Sequence, residues 1–266
     1  MTLKTSLIIS TYNWPEALEL VLQSVAKQKV LPNEIIVADD GSINTTEAVI
    51  KDFQECLSVP LIHVWHADNG FKKAVILNKA IALASGDYII QTDGDCILHP
   101  SFVKDHIEFA EKNTYLFGSR VNIQKNYLQK LFSKKQVHFS VFSSGIKKRT
   151  RALHCTPMSK LYKKTPVFSK KFRGCNVSFY KNDFIAVNGY NEDFEGWGKE
   201  DSELARRFHN YGLEGRRLRY RAIIYHIFHL EKSLERFELN SNLEDTTIKQ
   251  QLIWCTNGIN KHLSEK

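Results

Sequence analysis

Three short stretches carry side chains whose types and spacing could do chemistry. In "TDGDC" (92–96), Asp93 and Asp95 flank Gly94. If the preceding strand continues, both carboxylates project to one side and the glycine lets a ligand approach the backbone closely. Such a pair suits a hard divalent cation bridging to a diphosphate, and it is equally the pattern of a solvated Asp-Gly turn. In "GWGKEDSEL" (196–204), Glu200 and Asp201 stand at the start of a predicted helix. The positive end of the helix dipole keeps a carboxylate there ionised, as a general base must be, although acids in a first turn are also an ordinary helix-start preference. In "AIIYHIFHLEKS" (222–233), His226 and His229 follow an apolar run, a place for hydrogen-bonded core histidines or for metal ligands.

The elements that must position these groups read as an α/β unit. "TSLIIST" (5–11) has strand length, and Pro15 sits where a helix's first turn tolerates it, with Leu18, Val21, Leu22 and Val25 on one face. "EIIVADDGS" (34–42) predicts a buried strand ending in acids and glycine, "TTEAVIKDF" a helix, and "PLIHVWH" (60–66) a third strand. A helix through Ala84, with Gly86 as its stop, leads to a strand over Tyr88 to Thr92. Alternation of this kind implies a mostly parallel central sheet flanked by helices, with ligands outside the carboxyl ends of the strands, where Asp39, Asp40, Asp93 and Asp95 fall. "KEDSELARRFHNYG" places Leu204, Ala205, Phe208 and Tyr211 on one helical face with Gly212 as the stop.

Composition removes several classes. The 266 residues are 42% hydrophobic and 25% charged with 13 Gly and 6 Pro, which excludes a disordered chain. No apolar window approaches a membrane span and the N-terminus is no signal peptide, so a cytoplasmic protein is expected. Five scattered cysteines without a C-x-x-C pair read as free thiols. A dinucleotide G-x-G-x-x-G and a Walker lysine loop are absent, and a HAD-type aspartate is missing from the end of the first strand.

Taken together, "SLIISTYNWPEAL", "EIIVADDGS", "NGFKKAVILNKAIALASGDYIIQTDGDC" and "GCNVSFYKNDFIAVNGYNEDFEGWGKEDSELARR" resemble a family 2 glycosyltransferase with the GT-A fold. The last stretch resembles the carboxyl-terminal region shared with β-1,4-galactosyltransferases and bacterial chondroitin-type polymerases. The likeness spans residues 3 to 121 and 172 to 230. It implies that Thr11, Tyr12, Asp40 and Asp93 bind the nucleotide, joined by Lys73 or its neighbour Lys72, and that Asp39 shapes the turn. It implies Asp95 as a metal ligand with His226, His229 being the reserve, and a carboxylate–imidazole set favours Mn²⁺ over Mg²⁺. It implies Asp201 as the catalytic base, with Glu200 and Trp197 on the acceptor; Asn176 lies where the family brings a strand beside the donor site, with a structural hydrogen bond as the alternative.

The resemblance therefore implies an inverting, metal-dependent transfer from a UDP-sugar, galactose-type favoured, to a glycan or lipid-linked acceptor in bacterial surface polysaccharide synthesis. A sugar nucleotidyltransferase would want a Gly-rich, Arg-containing loop where this chain has "STYNWPE", and a non-catalytic carbohydrate-binding protein would need neither the D-x-D nor a base. The expected organisation is a nucleotide-sugar-binding half (1–121), a basic insertion (122–171), an acceptor-binding and catalytic half (172–232) and a helical extension (233–266), with a helix from Leu234 to His262. No acid occurs between Glu111 and Asp183, and residues 122–173 hold 14 Lys and Arg. Interleaved aromatics make that segment either a membrane-docking element at the inner face of the cytoplasmic membrane or a lid over the donor. No nucleic-acid module surrounds the charge, so no nucleic-acid partner is expected.

Overall fold

The computed structural model describes residues 3–230 and 234–263. Its first part alternates strands and helices: β1 (Thr5–Thr11), α1 (Pro15–Ala26), β2 (Glu34–Asp39), α2 (Asn44–Cys56), β3 (Leu61–Trp65), α3 (Lys73–Leu83) and β4 (Tyr88–Asp93). Next come β5 (Cys96–Leu98), α4 (Phe102–Phe109), β6 (Thr114–Phe117) and β7 (Ser119–Ile123). The basic segment holds only short pieces, α5 (Leu128–Ser133), β8 (Ile146–Lys147), α6 (Thr156–Ser159) and β9 (Lys164–Thr165). The rest comprises β10 (Asn176–Tyr180), α7 (Lys181–Ala186), α8 (Glu200–Tyr211), β11 (Glu214–Arg217), β12 (Ile223–His226) and α9 (Phe237–Gln250).

The larger sheet runs β3-β2-β1-β4-β10-β6-β11-β9 and the smaller β5-β12-β7-β8. β3, β2, β1 and β4 are parallel, as strands joined by crossover helices must be, whereas β10 lies antiparallel to both neighbours. Successive residues of β1 serve opposite faces. Leu7 and Ile9 pack with Leu18, Val21, Leu22 and Val25 of α1, while Ile8 packs with Ala74, Leu77 and Ile81 of α3. Each such side chain, fully buried, contributes about 1.5–3 kcal/mol before conformational entropy is set against it.

Registers decide where the chemical groups stand. Ser10 pairs with Asp93, Thr92 with Asn176, and His226 with Cys96. The carboxyl ends of β1, β2 and β4 therefore lie beside the start of β10, and β12 brings its terminal histidine to the residue after Asp95. The Ile227 N–H closes that junction by donating to the Asp95 carbonyl at 2.8 Å.

Some expectations are corrected. The terminal helix stops at Gln250, with Gln251 left-handed (φ 51°), and a separate 3-10 turn covers Ile259–His262. Tyr211 is 46% exposed and leaves the apolar face that Leu204, Ala205 and Phe208 bury. Gly86 is no helix stop. α3 ends at Leu83, and a Cβ on Gly86 would stand 2.5 Å from the Ser6 hydroxyl, so close packing requires the glycine. The boundary expected at 121 falls inside β7, and the one at 232 lies outside the described residues. Within the basic segment Leu131, Val137 and Ile146 pack with Tyr225 and Ile227, leaving Phe142 as its most exposed aromatic, at 91%.

α8 is anchored by a buried pair. Arg207 donates through Nε and Nη2 to both oxygens of Glu203, each at 2.7 Å, and the Thr247 hydroxyl of α9 donates to the same carboxylate. Removing one partner strands the other charge in the core. Glu203→Ala is expected to lose about 3–5 kcal/mol of unfolding free energy in urea titrations.

Candidate functional site

The first cavity, of about 410 Å³, opens at the carboxyl ends of β1 and β4. Ser10, Thr11, Tyr12, Asp40, Lys73, Asp93, Gly94, Asp95, Trp197 and His229 all line it. Residues expected from the motifs are thus brought together from positions far apart in the chain. Asp93 accepts from the Ser10 hydroxyl at 2.8 Å and from the Lys73 ammonium at 2.8 Å. Burial alone would push the Asp93 carboxyl up, but Lys73 and Ser10 outweigh it and hold it below its usual range. Burial likewise pulls the Lys73 ammonium down, and Asp93 together with Glu200 more than reverses this. Lys72 points elsewhere, its N–H to Asp40 at 3.0 Å and its ammonium to Glu195.

Asp40 is buried and its carboxyl is raised by that burial, only partly offset by His66 at 2.8 Å and the Lys72 N–H. Asp39 takes the turn-shaping place expected of it, accepting from the Ser42 N–H at 2.8 Å and pairing with His63 at 3.0 Å. Tyr12, 43% exposed, donates to Asp68 at 2.8 Å. The Gly94 N–H donates to the Ser10 carbonyl at 2.7 Å, and a Cβ there would stand 2.9 Å from the Thr11 hydroxyl oxygen. Gly94 thus makes possible the close approach of β1, and it also lines the cavity.

Around Asp95 the structure gathers nitrogen and sulfur donors. His226 Nε2 lies 3.6 Å and His229 Nε2 3.4 Å from the same carboxylate oxygen. Potential ligand atoms of Asp95, Cys96 and His226 fall within 4.8 Å of one another. Burial lifts the Cys96 thiol well above its usual range, so it stays protonated and donates to Asp95 at 3.2 Å. Desolvation lowers His226, which keeps its imidazole neutral and able to ligate. A carboxylate with one or two imidazoles fits a divalent transition ion.

The second cavity, of about 480 Å³, shares Lys73, Asp93 and Trp197 with the first and adds Glu200, Asp201, Gly174, Arg120 and Arg173. The "GWGKED" loop turns on left-handed backbone at Gly196 (φ 72°), Gly198 (φ 105°) and Lys199 (φ 80°). α9 braces it: Asn240 donates to the carbonyls of Glu195 (3.1 Å) and Gly198 (3.0 Å), and Lys199 pairs with Glu244 at 2.8 Å. Trp197, 43% exposed, stacks on Phe237 with centroids 6.1 Å apart.

The two acids of the loop differ in environment. Asp201 accepts from the Gly174 N–H and the Ser202 N–H, each at 2.7 Å. A Cβ on Gly174 would come within 3.0 Å of the Asp201 Cβ, so this glycine is what lets the strand-side backbone reach the carboxylate. Glu200 has a buried Oε2 without a hydrogen-bond partner. Burial, then Asp201, raises its carboxyl to about 7 against the opposing pull of Lys73.

Sequence reasoning missed Ser10, Phe71 and Gly174, whose roles come from strand register and loop approach. Of the two readings of Asn176, the structure shows the hydrogen bonds: its Nδ2 donates to the Ala222 carbonyl at 2.7 Å and its Oδ1 contacts His106 at 3.1 Å.

An α/β sheet with paired acids at the strand ends, facing a second cavity that holds Glu200 and Asp201, defines the GT-A class of nucleotide-sugar transferase folds. Residues 6–184 match the family model described as Glycosyl transferase family 2, and residues 156–230 the one described as N-terminal domain of galactosyltransferase. The chain belongs to glycosyl transferase family 2. Chondroitin synthase of Escherichia coli is 28% identical over 226 residues, 78% of this chain and 32% of that protein. Validoxylamine A glucosyltransferase of Streptomyces hygroscopicus subsp. limoneus is 28% identical over 220 residues, covering 78% of this chain and 48% of that protein. The chain thus spans half or less of these two relatives. Among solved structures, S. aureus TarS 1-349 in complex with UDP-GlcNAc matches with a TM-score of 0.65 at 18% identity, over 92% of this chain and 66% of that one. Mannosyltransferase PcManGT from Pyrobaculum calidifontis, in complex with GDP-Man and Mn²⁺, matches with a TM-score of 0.58 at 19% identity, over 85% and 57%. Among the described residues no helix is long and apolar enough to cross a membrane.

A carboxyl raised in the folded state stabilises the fold below its unfolded value, and that contribution is lost as pH rises through about 7. Glu200→Gln removes the loss. In metal-free thermal unfolding between pH 5 and pH 8, the variant's midpoint is expected to gain on the wild type as pH rises.

Proposed function

We propose that this chain moves a sugar, galactose-type favoured, from a UDP-sugar to a hydroxyl of a glycan or lipid-linked acceptor, inverting the anomeric centre, in the assembly of a bacterial surface polysaccharide. The observation that carries this reading is the meeting of two cavities at Lys73, Asp93 and Trp197, one holding Asp40 and Asp95 and the other Glu200 and Asp201. A donor in the first cavity and an acceptor in the second would bring the anomeric carbon and the attacking hydroxyl to that junction.

In the donor cavity Thr11, Tyr12 and Asp40 bind the nucleoside, with Tyr12 and Phe71 offering aromatic faces to the base. Asp93, fixed by Lys73 and Ser10, binds the ribose. Asp95 and His226, with His229 adjacent, hold a divalent cation, Mn²⁺ for this mixed donor set, whose chemistry when bound is to neutralise charge on the departing diphosphate. Asp201 accepts the proton of the acceptor hydroxyl as that oxygen bonds to the anomeric carbon and the carbon–oxygen bond to the diphosphate breaks. Its two backbone donors keep the carboxylate aimed without occupying every lone pair. Glu200 hydrogen-bonds a second acceptor hydroxyl and Trp197 stacks on the acceptor ring. The chain would work on the cytoplasmic side, in peripheral contact with the membrane's inner face through residues 122–173, which include the exposed Phe142.

The test is UDP release from a panel of UDP-sugars with simple β-linked acceptors, with and without Mn²⁺. One donor is expected to give metal-dependent turnover, and Asp201→Asn to lower kcat by about 10²–10⁴ while UDP binding persists. Normal turnover by that variant would move the base to Glu200, and failure to bind any uridine nucleotide would refute the donor site.

A further inference from the structure

A third concave feature lies beyond the acceptor cavity. It encloses about 150 Å³, well below the volume of a pocket for a drug-sized ligand. Arg120, Lys148, Arg151, Lys170, Lys171, Arg173 and Arg217 line it, and no carboxylate does. Among the described residues none of the seven pairs with an acid within 4.0 Å. The Nε of Arg217 and the Nη1 of Arg219 beside it are buried without hydrogen-bond partners. Burial and the neighbouring guanidiniums pull Lys148 and Arg151 below their usual values. Cations gathered in this way repel one another, and buried donors left unpaired cost free energy, so the arrangement asks for a multiply charged anion.

Position says which anion. Arg120, Lys170, Arg173 and Cys175 line both this cavity and the one containing Glu200 and Asp201. None of the seven cations lines the first cavity, with Asp40 and Asp95. An anion here therefore sits on the acceptor side of the reacting hydroxyl, away from the donor's diphosphate. Guanidinium forks suit carboxylate and phosphate alike, but a cluster of this charge favours the group with more negative charge and more acceptor oxygens.

We propose that this basic cavity binds a phosphate or diphosphate group carried by the acceptor, so that the acceptor is a sugar phosphate ester whose hydroxyl reaches Asp201 while its phosphoryl oxygens lie among Arg120, Arg151, Arg173 and Arg217. The acceptor assignment rests on the transferase reading of Asp201; the anion site does not.

The experiment has a binding arm and a transfer arm. Inorganic pyrophosphate is titrated calorimetrically, with chelator present, into the full chain, into the double variant Arg151→Gln/Arg217→Gln and into Lys148→Gln/Lys171→Gln, whose exposed lysines line this cavity but not the one with Asp201 and can change without threatening the fold. Wild type is expected to bind, and each variant to bind about tenfold or more weakly, with the thermal midpoint and Mn²⁺-dependent UDP binding unchanged. In transfer, each variant is expected to raise KM for a sugar 1-phosphate ester by about tenfold and to leave a neutral methyl glycoside unaffected. Pyrophosphate binding that is absent from the wild type, or equal in the variants, overturns the site. Equal use of the neutral and phosphorylated acceptors overturns the acceptor assignment. Loss of attachment to phosphatidylglycerol vesicles in the variants, with no pyrophosphate bound by the wild type, also overturns the proposal and makes the charge a membrane patch. If pyrophosphate binds as expected but no nucleotide sugar is consumed, the transferase reading fails and the anion site stands.

Discussion

The ammonium of Lys73 is the interaction on which the site depends. Asp93, Glu200 and Asp201 line one continuous depression, and Asp95 lies just beyond it, so without a cation among them they would repel. Lys73 donates to Asp93 at 2.8 Å and also feels the charge of Glu200, which is why its own proton is held so firmly. It reaches this place because it opens α3, whose apolar residues pack behind β1 and β2. One half-buried cation thereby joins the donor-side acids to the acceptor-side acids.

The glycine-rich loop needs a different kind of support. Three residues of left-handed backbone within four positions, Gly196, Gly198 and Lys199, do not hold themselves, and α9 supplies the missing partners through Asn240, Glu244 and Phe237. α9 is in turn tied to the core by Thr247, which donates to the Glu203 carboxylate that neutralises buried Arg207. A helix distant in sequence from the strand ends thus sets the height of Trp197 and the direction of Asp201.

The same reasoning separates the two acids of "GWGKED". Adjacent in sequence, they meet opposite environments: Asp201 finds the Gly174 and Ser202 N–H groups, whereas Glu200 has a buried oxygen without a donor. A single peptide step thus separates a carboxylate held by two backbone donors from one that burial raises to about 7.

Much of this was legible in the chain alone. Apolar runs of strand length alternating with 3.6-residue periodicity determined the parallel half of the sheet, and acids at the ends of "EIIVAD" and "YIIQTD" marked where ligands would sit, because those patterns are local. The start of α8 at Glu200 and its stop at Gly212 were equally local. Tertiary structure alone decided that Ser10 and Lys73 grip Asp93, that Gly174 reaches Asp201, that both histidines face Asp95, and that lysines and arginines from four separate stretches enclose one cavity. Those contacts join residues tens to more than a hundred positions apart, through strand registers and antiparallel insertions that no local periodicity encodes. The terminal helix was misjudged in length for the same reason: its end is set by Gln251 adopting left-handed backbone, and the chain beyond it turns back to pack Ile259 against the core.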